Sequence, residues 1–212
     1  MGFVPSAEKV DLKAYFNTRL VGVNHEQLVQ TILERLSLHG AGFYERLYAS
    51  QTQAKFVGVG VDLHGDASRR AKLYVKAPSS ELMDALENLC EGQTHLNIED
   101  IKREARLLLE SSQCAALSGE VEIAISLRSD AAPTIKLTVF FTSDEVASEP
   151  EQCVMSYLSS KGYEPSVFTT LFDVMKQGVS DPGVKKQPVH GLGIEFPVQE
   201  QVKINTYFNP LV

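Results

Sequence analysis

The chain has 212 residues, 43% of them hydrophobic and 22% charged, and a net charge of -7, the composition of an ordinary globular domain with apolar material for one sizeable core. The acidic balance argues against a nucleic-acid binder, because phosphate-backbone affinity needs an excess of Lys and Arg. No apolar run approaches the roughly 18 residues of a membrane span and MGFVPSAEKVDLK lacks the apolar centre of a secretory signal, so no membrane association and a cytoplasmic location are expected.

In chain order, VDLKAYFN (10–17) alternates apolar and polar residues and predicts a strand. NHEQLVQTILERLSLHG predicts a helix with Asn24 as N-cap, Gln27 three residues on, an apolar stripe of Leu28, Ile32 and Leu36, and Gly40 as its stop. KFVGVGVDLHGDASRRAKLYVK reads as two strands around a turn at HGDAS. SSELMDALENLCEG and NIEDIKREARLLLESS predict two helices, the first opened by Pro78 and Ser79 and the second capped by Asn97. Alternating charges in EDIKREARLLLE suit a solvated helix face.

The order then repeats. EVEIAISLRSDAAPTIKLTVFFT is a second strand pair joined through SDAAP, and SEPEQCVMSYLSSKG opens a helix with a capping box from Ser148 to Glu151. YEPSVFTTLFDVMKQG predicts its partner helix, VSDPGVKKQP a loop, and GLGIEFPVQEQVKINTYFNP a last strand pair with Pro197 ending its first strand. Roughly seven strands and five helices in one domain, residues 1–212, predict an α+β fold whose mainly antiparallel sheet carries its helices on one face. Cys90, Cys114 and Cys153 are odd in number and widely spaced, which predicts reduced, buried thiols rather than a disulfide framework or a zinc site. The five histidines show no ligand spacing, and GVGVDLHG lacks the third glycine and the helix of a dinucleotide fingerprint.

Side chains on a strand alternate between faces, so each strand sorts into two sets. One set is apolar: Leu12, Ala14 and Phe16; Ala71, Leu73 and Val75; Ile135, Leu137, Val139 and Phe141; Val202, Ile204 and Phe208. The other carries Lys13, Tyr15 and Asn17; Arg70, Lys72, Tyr74 and Lys76; Lys136 and Thr138; Lys203, Asn205 and Tyr207. The strands between them present Gly58, Gly60 and Asp62; Glu120, Glu122, Ala124 and Ser126; Gly191, Gly193 and Glu195. A solvated sheet face accommodates Lys, Thr and Tyr without any function. Here, however, the cations collect on alternate strands, and curling the sheet would bring them together around a cavity that only an anion could neutralise. The size of the set suggests a diphosphate. Arg69 falls outside it by parity, and Lys76 lies at its rim.

The residues "KAY" at Lys13 to Tyr15, "RAKLY" at Arg70 to Tyr74, "KLT" at Lys136 to Thr138 and "KINTY" at Lys203 to Tyr207, set in successive α-β-β-α units, resemble the aromatic prenyltransferases of the ABBA-barrel superfamily, in particular the indole prenyltransferases of the dimethylallyltryptophan synthase type. The resemblance implies an antiparallel sheet curled into a full or partial barrel with helices outside. It also implies that Lys13, Arg70, Lys72 and Lys203, joined by Lys136, hold a prenyl diphosphate, and that Tyr15, Tyr74 and Tyr207 shield the allyl cation. The tyrosine expected near Thr138 is absent. Family members are longer, so the resemblance implies that the N-terminal part is lacking, with its proton-accepting glutamate, a phosphate-binding arginine and much of the acceptor pocket.

An allylic diphosphate ionises when fixed positive charge stabilises the leaving group and an electron-rich, unreactive surface faces the cation. Lys and Arg supply the first, and tyrosine faces supply the second by cation-π attraction. A carboxylate must then take the proton of the attacked ring. Asp62, Glu122 and Glu195 share the inward parity and are candidates, with Glu122 and Glu195 placed beside the tyrosines as catalytic groups; the alternative is that they are ion partners of neighbouring lysines. The expected activity is transfer of a dimethylallyl or related prenyl group to tryptophan, an indole or another electron-rich aromatic. No cofactor is expected beyond the prenyl diphosphate co-substrate, magnesium is not required, and no D-D-x-x-D cluster is present to bind it. The competing expectation is a non-catalytic binding or assembly module with an open cationic sheet face; either way, unpaired sheet edges invite a homodimer or a partner chain that completes the barrel.

Overall fold

The computed structural model describes residues 4–6, 9–17, 25–38, 41–49, 52–63, 69–112, 120–141, 150–164, 166–178, 189–196 and 203–208. The period-2 segments form strands β1 (Val4–Ser6), β2 (Lys9–Asn17), β3 (Lys55–Leu63), β4 (Arg69–Pro78), β5 (Glu120–Arg128), β6 (Thr134–Phe140), β7 (Val189–Phe196) and β8 (Lys203–Phe208). They pair in sequence order as one 8-stranded antiparallel sheet. Between them lie helices α1 (His25–Arg35), α2 (Ala41–Ala49), α3 (Leu82–Cys90), α4 (Ile98–Ser112), α5 (Pro150–Ser160) and α6 (Ser166–Gly178). Two elements were not expected from the sequence: the short edge strand β1, and α2, which buries Phe43 and Leu47 one helical turn apart.

The helices cover the apolar face of the sheet. Leu73, Ile123, Ile125, Ile135, Leu137 and Ile194 from the strands pack in one cluster with Leu82, Leu86, Leu89, Leu108 and Tyr157 from the helices. Ends of helices follow local chemistry. Asn97 caps α4 as expected, its side-chain oxygen accepting from the Asp100 N–H at 3.3 Å and its amide donating to the Asp100 carboxylate at 2.6 Å. Helix α1 stops earlier than expected: Ser37 adopts φ 54°, and the Leu38 N–H donates back to the Leu33 carbonyl at 2.9 Å. Asn24, Gly40, the HGDAS turn, Ser148 and Pro197 lie outside the described residues, as do Cys114 and Val202.

The solvated-face reading of α4 is corrected at one position. Glu104 is 3% exposed, because it falls on the stripe of Ile101, Ala105 and Leu108 that packs inward. It accepts from the Lys161 ammonium at 2.6 Å and the Tyr157 hydroxyl at 3.2 Å, which pins α4 to the end of α5. Cys90 and Cys153 are free and buried, and burial pushes the Cys90 thiol up to about 11. Among the described residues, no helix is long and apolar enough to cross a membrane.

The sheet is open. Among the described residues β1 pairs only with residues 9–11 of β2, and β8 only with β7. Lys72 on β4 and Glu195 on β7 stand on the same polar face of the sheet. The architecture is α+β, with α-β-β-α units forming a partial barrel and the helices outside.

Candidate functional site

Register decides what meets on the concave face. Asp62 pairs with Lys13 on one side and Arg70 on the other, and Arg70 in turn pairs with Arg128. Gly60 lies between Tyr15 and Lys72. Farther along the strands, Tyr74, Ala124, Lys136, Glu195 and Lys203 form one row across five strands, β4 to β8. Every candidate site residue therefore shares one face of the sheet, as the alternation requires.

The cations differ in how they are neutralised. The Arg70 guanidinium is held by Asp62. Lys203 lies 3.8 Å from Glu195, Lys76 lies 3.5 Å from Glu120, and Arg128 grips Asp130 in the following turn at 3.0 and 3.2 Å. Lys136 donates to the Tyr207 hydroxyl while its ammonium lies 4.6 Å from the centre of the Tyr207 ring. Lys72, at the centre of the face, has no ion pair or hydrogen bond to another described side chain. Burial lowers its pKa, Arg70 and Lys13 add to the lowering, and Glu195 and Asp62 oppose it. Lys136 is lowered in the same way, first by burial and then by Lys72. Glu122 is raised by burial, against the pull of Lys76, Lys136 and Lys72. Burial likewise raises Tyr74, which keeps its phenol neutral.

The aromatic residues form two groups. The Tyr15 and Tyr74 rings lie 6.4 Å apart with their planes tilted by 42°, and the Tyr207 ring lies 6.3 Å from that of Phe140 at 44°. A glycine sits beneath each group. A Cβ at Gly60 would come within 3.1 Å of Tyr15 Cε1 and 3.3 Å of Tyr74 Cε2; one at Gly193 would come within 2.8 Å of Lys136 Cε and 3.2 Å of Tyr207 Cε2. Gly60 and Gly193 are thus clearance for side chains reaching over from neighbouring strands. Tyr207 leans from β8 over Gly193, whose cross-strand partner on β6 is Thr138.

At one end of the face lies a groove of about 800 Å³, lined by Tyr15, Tyr74, Lys55, Lys76, Glu120 and Glu122 among others, a size that holds a small organic ligand. Lys55 is absent from the sequence reading. A bulge between Phe56 and Gly58 inverts side-chain parity, so that Lys55 pairs with Lys76 on the polar face. Arg128 and Phe140 were also missed, although each simply extends an alternation already recognised on its strand. Tyr15, at 67% exposure, and Lys203 stand at the open ends of the face. Tyr207 is not brought to the Tyr15–Tyr74 pair. Among the described residues, no group of three His, Cys, Asp or Glu side chains is placed to hold a metal ion.

No family model and no curated protein matches the chain. Solved structures do. The 6-dimethylallyltryptophan synthase from Micromonospora olivasterospora, crystallised in complex with DMASPP and Trp, is 15% identical with a TM-score of 0.64, covering 96% of this chain and 59% of that one. AnaPT from Neosartorya fischeri gives 14%, 0.72, 95% and 54% for the same quantities, and the 5-dimethylallyltryptophan synthase from Streptomyces coelicolor 15%, 0.66, 94% and 57%. The chain therefore has the fold of the ABBA-type aromatic prenyltransferases and spans a little over half the length of these structures.

Proposed function

We propose that this chain binds a prenyl diphosphate on its concave face and transfers the prenyl group to an electron-rich aromatic such as tryptophan or an indole. The observation that carries the reading is Lys72: a half-buried ammonium without an ion pair among the described side chains, at the centre of a face that also presents Lys13, Arg70, Lys136 and Lys203. Such a cluster stabilises an anion that appears beside it. The fold likeness supports the same reading, since the Micromonospora structure is described with DMASPP and Trp.

In the proposed reaction the allylic C–O bond breaks and its electron pair leaves with the diphosphate. Lys13, Arg70, Lys72, Lys136 and Lys203 hold the leaving group, while Tyr15 and Tyr74 face the allyl cation and Tyr207, in the other aromatic group, positions Lys136. The aromatic ring supplies the electron pair of the new C–C bond, and its displaced proton passes to a carboxylate. Glu122 suits that role better than Glu195, because burial raises its affinity for a proton and it lines the groove beside Tyr74, whereas Glu195 is drawn to Lys203. Because side chains neutralise the leaving group, this reading needs no magnesium or other cofactor. The single unit of residues 1–212 is proposed to complete its barrel with a second copy or a partner chain, which the exposure of Tyr15 on the open side favours. The free thiols Cys90 and Cys153 suit a reducing cytoplasm.

The test is incubation of the purified chain with dimethylallyl diphosphate and a panel of tryptophan, indoles and phenols, read by mass for a product one prenyl group heavier. Failure across the panel, together with no binding of an unreactive analogue, rejects the reading. The open sheet and exposed Tyr15 also fit a non-catalytic module with a solvated cationic face; that alternative predicts no product and no dependence of ligand binding on Lys72.

A further inference from the structure

We propose that Asp62 is a resident counter-ion that an incoming diphosphate must displace from Arg70, so that this carboxylate limits how tightly the leaving group is held. The inference rests on the diphosphate reading above and adds a residue to it. Asp62 is 8% exposed and stands between cations on both sides: Lys13 is its cross-strand partner on β2 and Arg70 its partner on β4. Two donors of the Arg70 guanidinium, Nε and one terminal nitrogen, converge on the same Asp62 carboxylate oxygen. The charge of Asp62 also reaches Lys72.

Lys13 on β2 and Arg70 and Lys72 on β4, the two strands that flank Asp62 on β3, would repel one another if nothing negative stood among them. Asp62 supplies that negative charge while the face is empty. A diphosphate brings more charge to the same guanidinium, and two anions drawn to one guanidinium repel each other. When Arg70 turns to the diphosphate, Asp62 has Lys13 opposite it on the neighbouring strand, within the reach of a cross-strand pair. A carboxylate that only positioned Arg70 would act with the opposite sign, strengthening anion binding instead of opposing it.

The sign is measurable without catalysis. Inorganic pyrophosphate is titrated calorimetrically into the full chain, into Asp62→Asn, which keeps the shape and removes the charge, and into Asp62→Glu, which keeps the charge. Asp62→Asn is expected to bind pyrophosphate about tenfold more tightly, and Asp62→Glu to bind as the unaltered chain does. If Asp62→Asn does not fold, as read by circular dichroism, Asp62→Ser is expected to show the same tightening. Equal or weaker binding by the folded charge-free variant overturns the counter-ion role and leaves the diphosphate reading standing. Absence of pyrophosphate binding by the unaltered chain overturns both.

Discussion

Gly58 and Gly60 lie two residues apart on β3, face the same side, and are expected to respond differently to alanine. A Cβ at Gly58 would lie 2.8 Å from the Phe16 carbonyl oxygen, a backbone atom of the paired strand, so β2 itself would have to move. Overpacking of this kind costs about 1–3 kcal/mol, and relief of glycine's conformational entropy returns about 0.5–1 kcal/mol. The difference is a net loss of up to about 2.5 kcal/mol, a fall of up to about 10 °C in Tm for a chain of this size. At Gly60 the atoms nearest the Cβ would belong to the Tyr15 and Tyr74 rings, at 3.1 to 3.3 Å. Tyr15 is 67% exposed and free to swing outward, so Gly60→Ala should stay within about 1 kcal/mol of the unaltered chain. It should still separate the two rings and weaken binding of a dimethylallyl diphosphate analogue. Parallel urea melts and analogue titrations decide the matter. A Gly60→Ala variant destabilised as much as Gly58→Ala, or one that binds the analogue unchanged, would refute the assignment of Gly60 as clearance for a ligand-facing pair.

Lys72→Met should raise stability at neutral pH, and the advantage should shrink as the medium becomes alkaline. The folded chain holds the Lys72 pKa below its ordinary 10.5; from that lowered value up to 10.5 the unfolded chain binds more protons than the folded one, so the unaltered protein gains stability as pH rises. Chemical denaturation of both proteins from pH 7 to 10 measures the gap, and a gap that stays constant or widens contradicts the assigned burial. Lys161→Ala removes the ammonium that faces the buried Glu104 carboxylate and should cost about 3 kcal/mol; a loss below about 1 kcal/mol by urea melt would mean that the α4–α5 pin carries little of the fold.

Period-2 alternation made the strands and the membership of the polar face legible, because antiparallel pairing preserves parity from one strand to the next. Lys55 escaped because a bulge inverts parity, and KFVGV carries no visible mark of it. The alternating charges of EDIKREARLLLE concealed Glu104, although its spacing from Ile101 and Leu108 placed it on the inward stripe. Helix α2 was missed because its short AGFYERLYA segment includes Gly42 and follows α1 closely; Phe43 and Leu47, four residues apart and both buried, were the available signal. The pairing of Arg70 with Asp62 required the register of β3 on β4, which composition alone does not supply. Glycines on alternate strands were legible as a pattern, but not their purpose, since ring clearance depends on side chains from the neighbouring strands.

If the cationic face holds a prenyl diphosphate through Lys72, an unreactive dimethylallyl diphosphate analogue titrated into the unaltered chain and into Lys72→Ala should show saturable binding that weakens at least about 100-fold in the variant, equivalent to about 2.7 kcal/mol. Saturable binding that is the same in both proteins, or no binding by the unaltered chain, would contradict that reading.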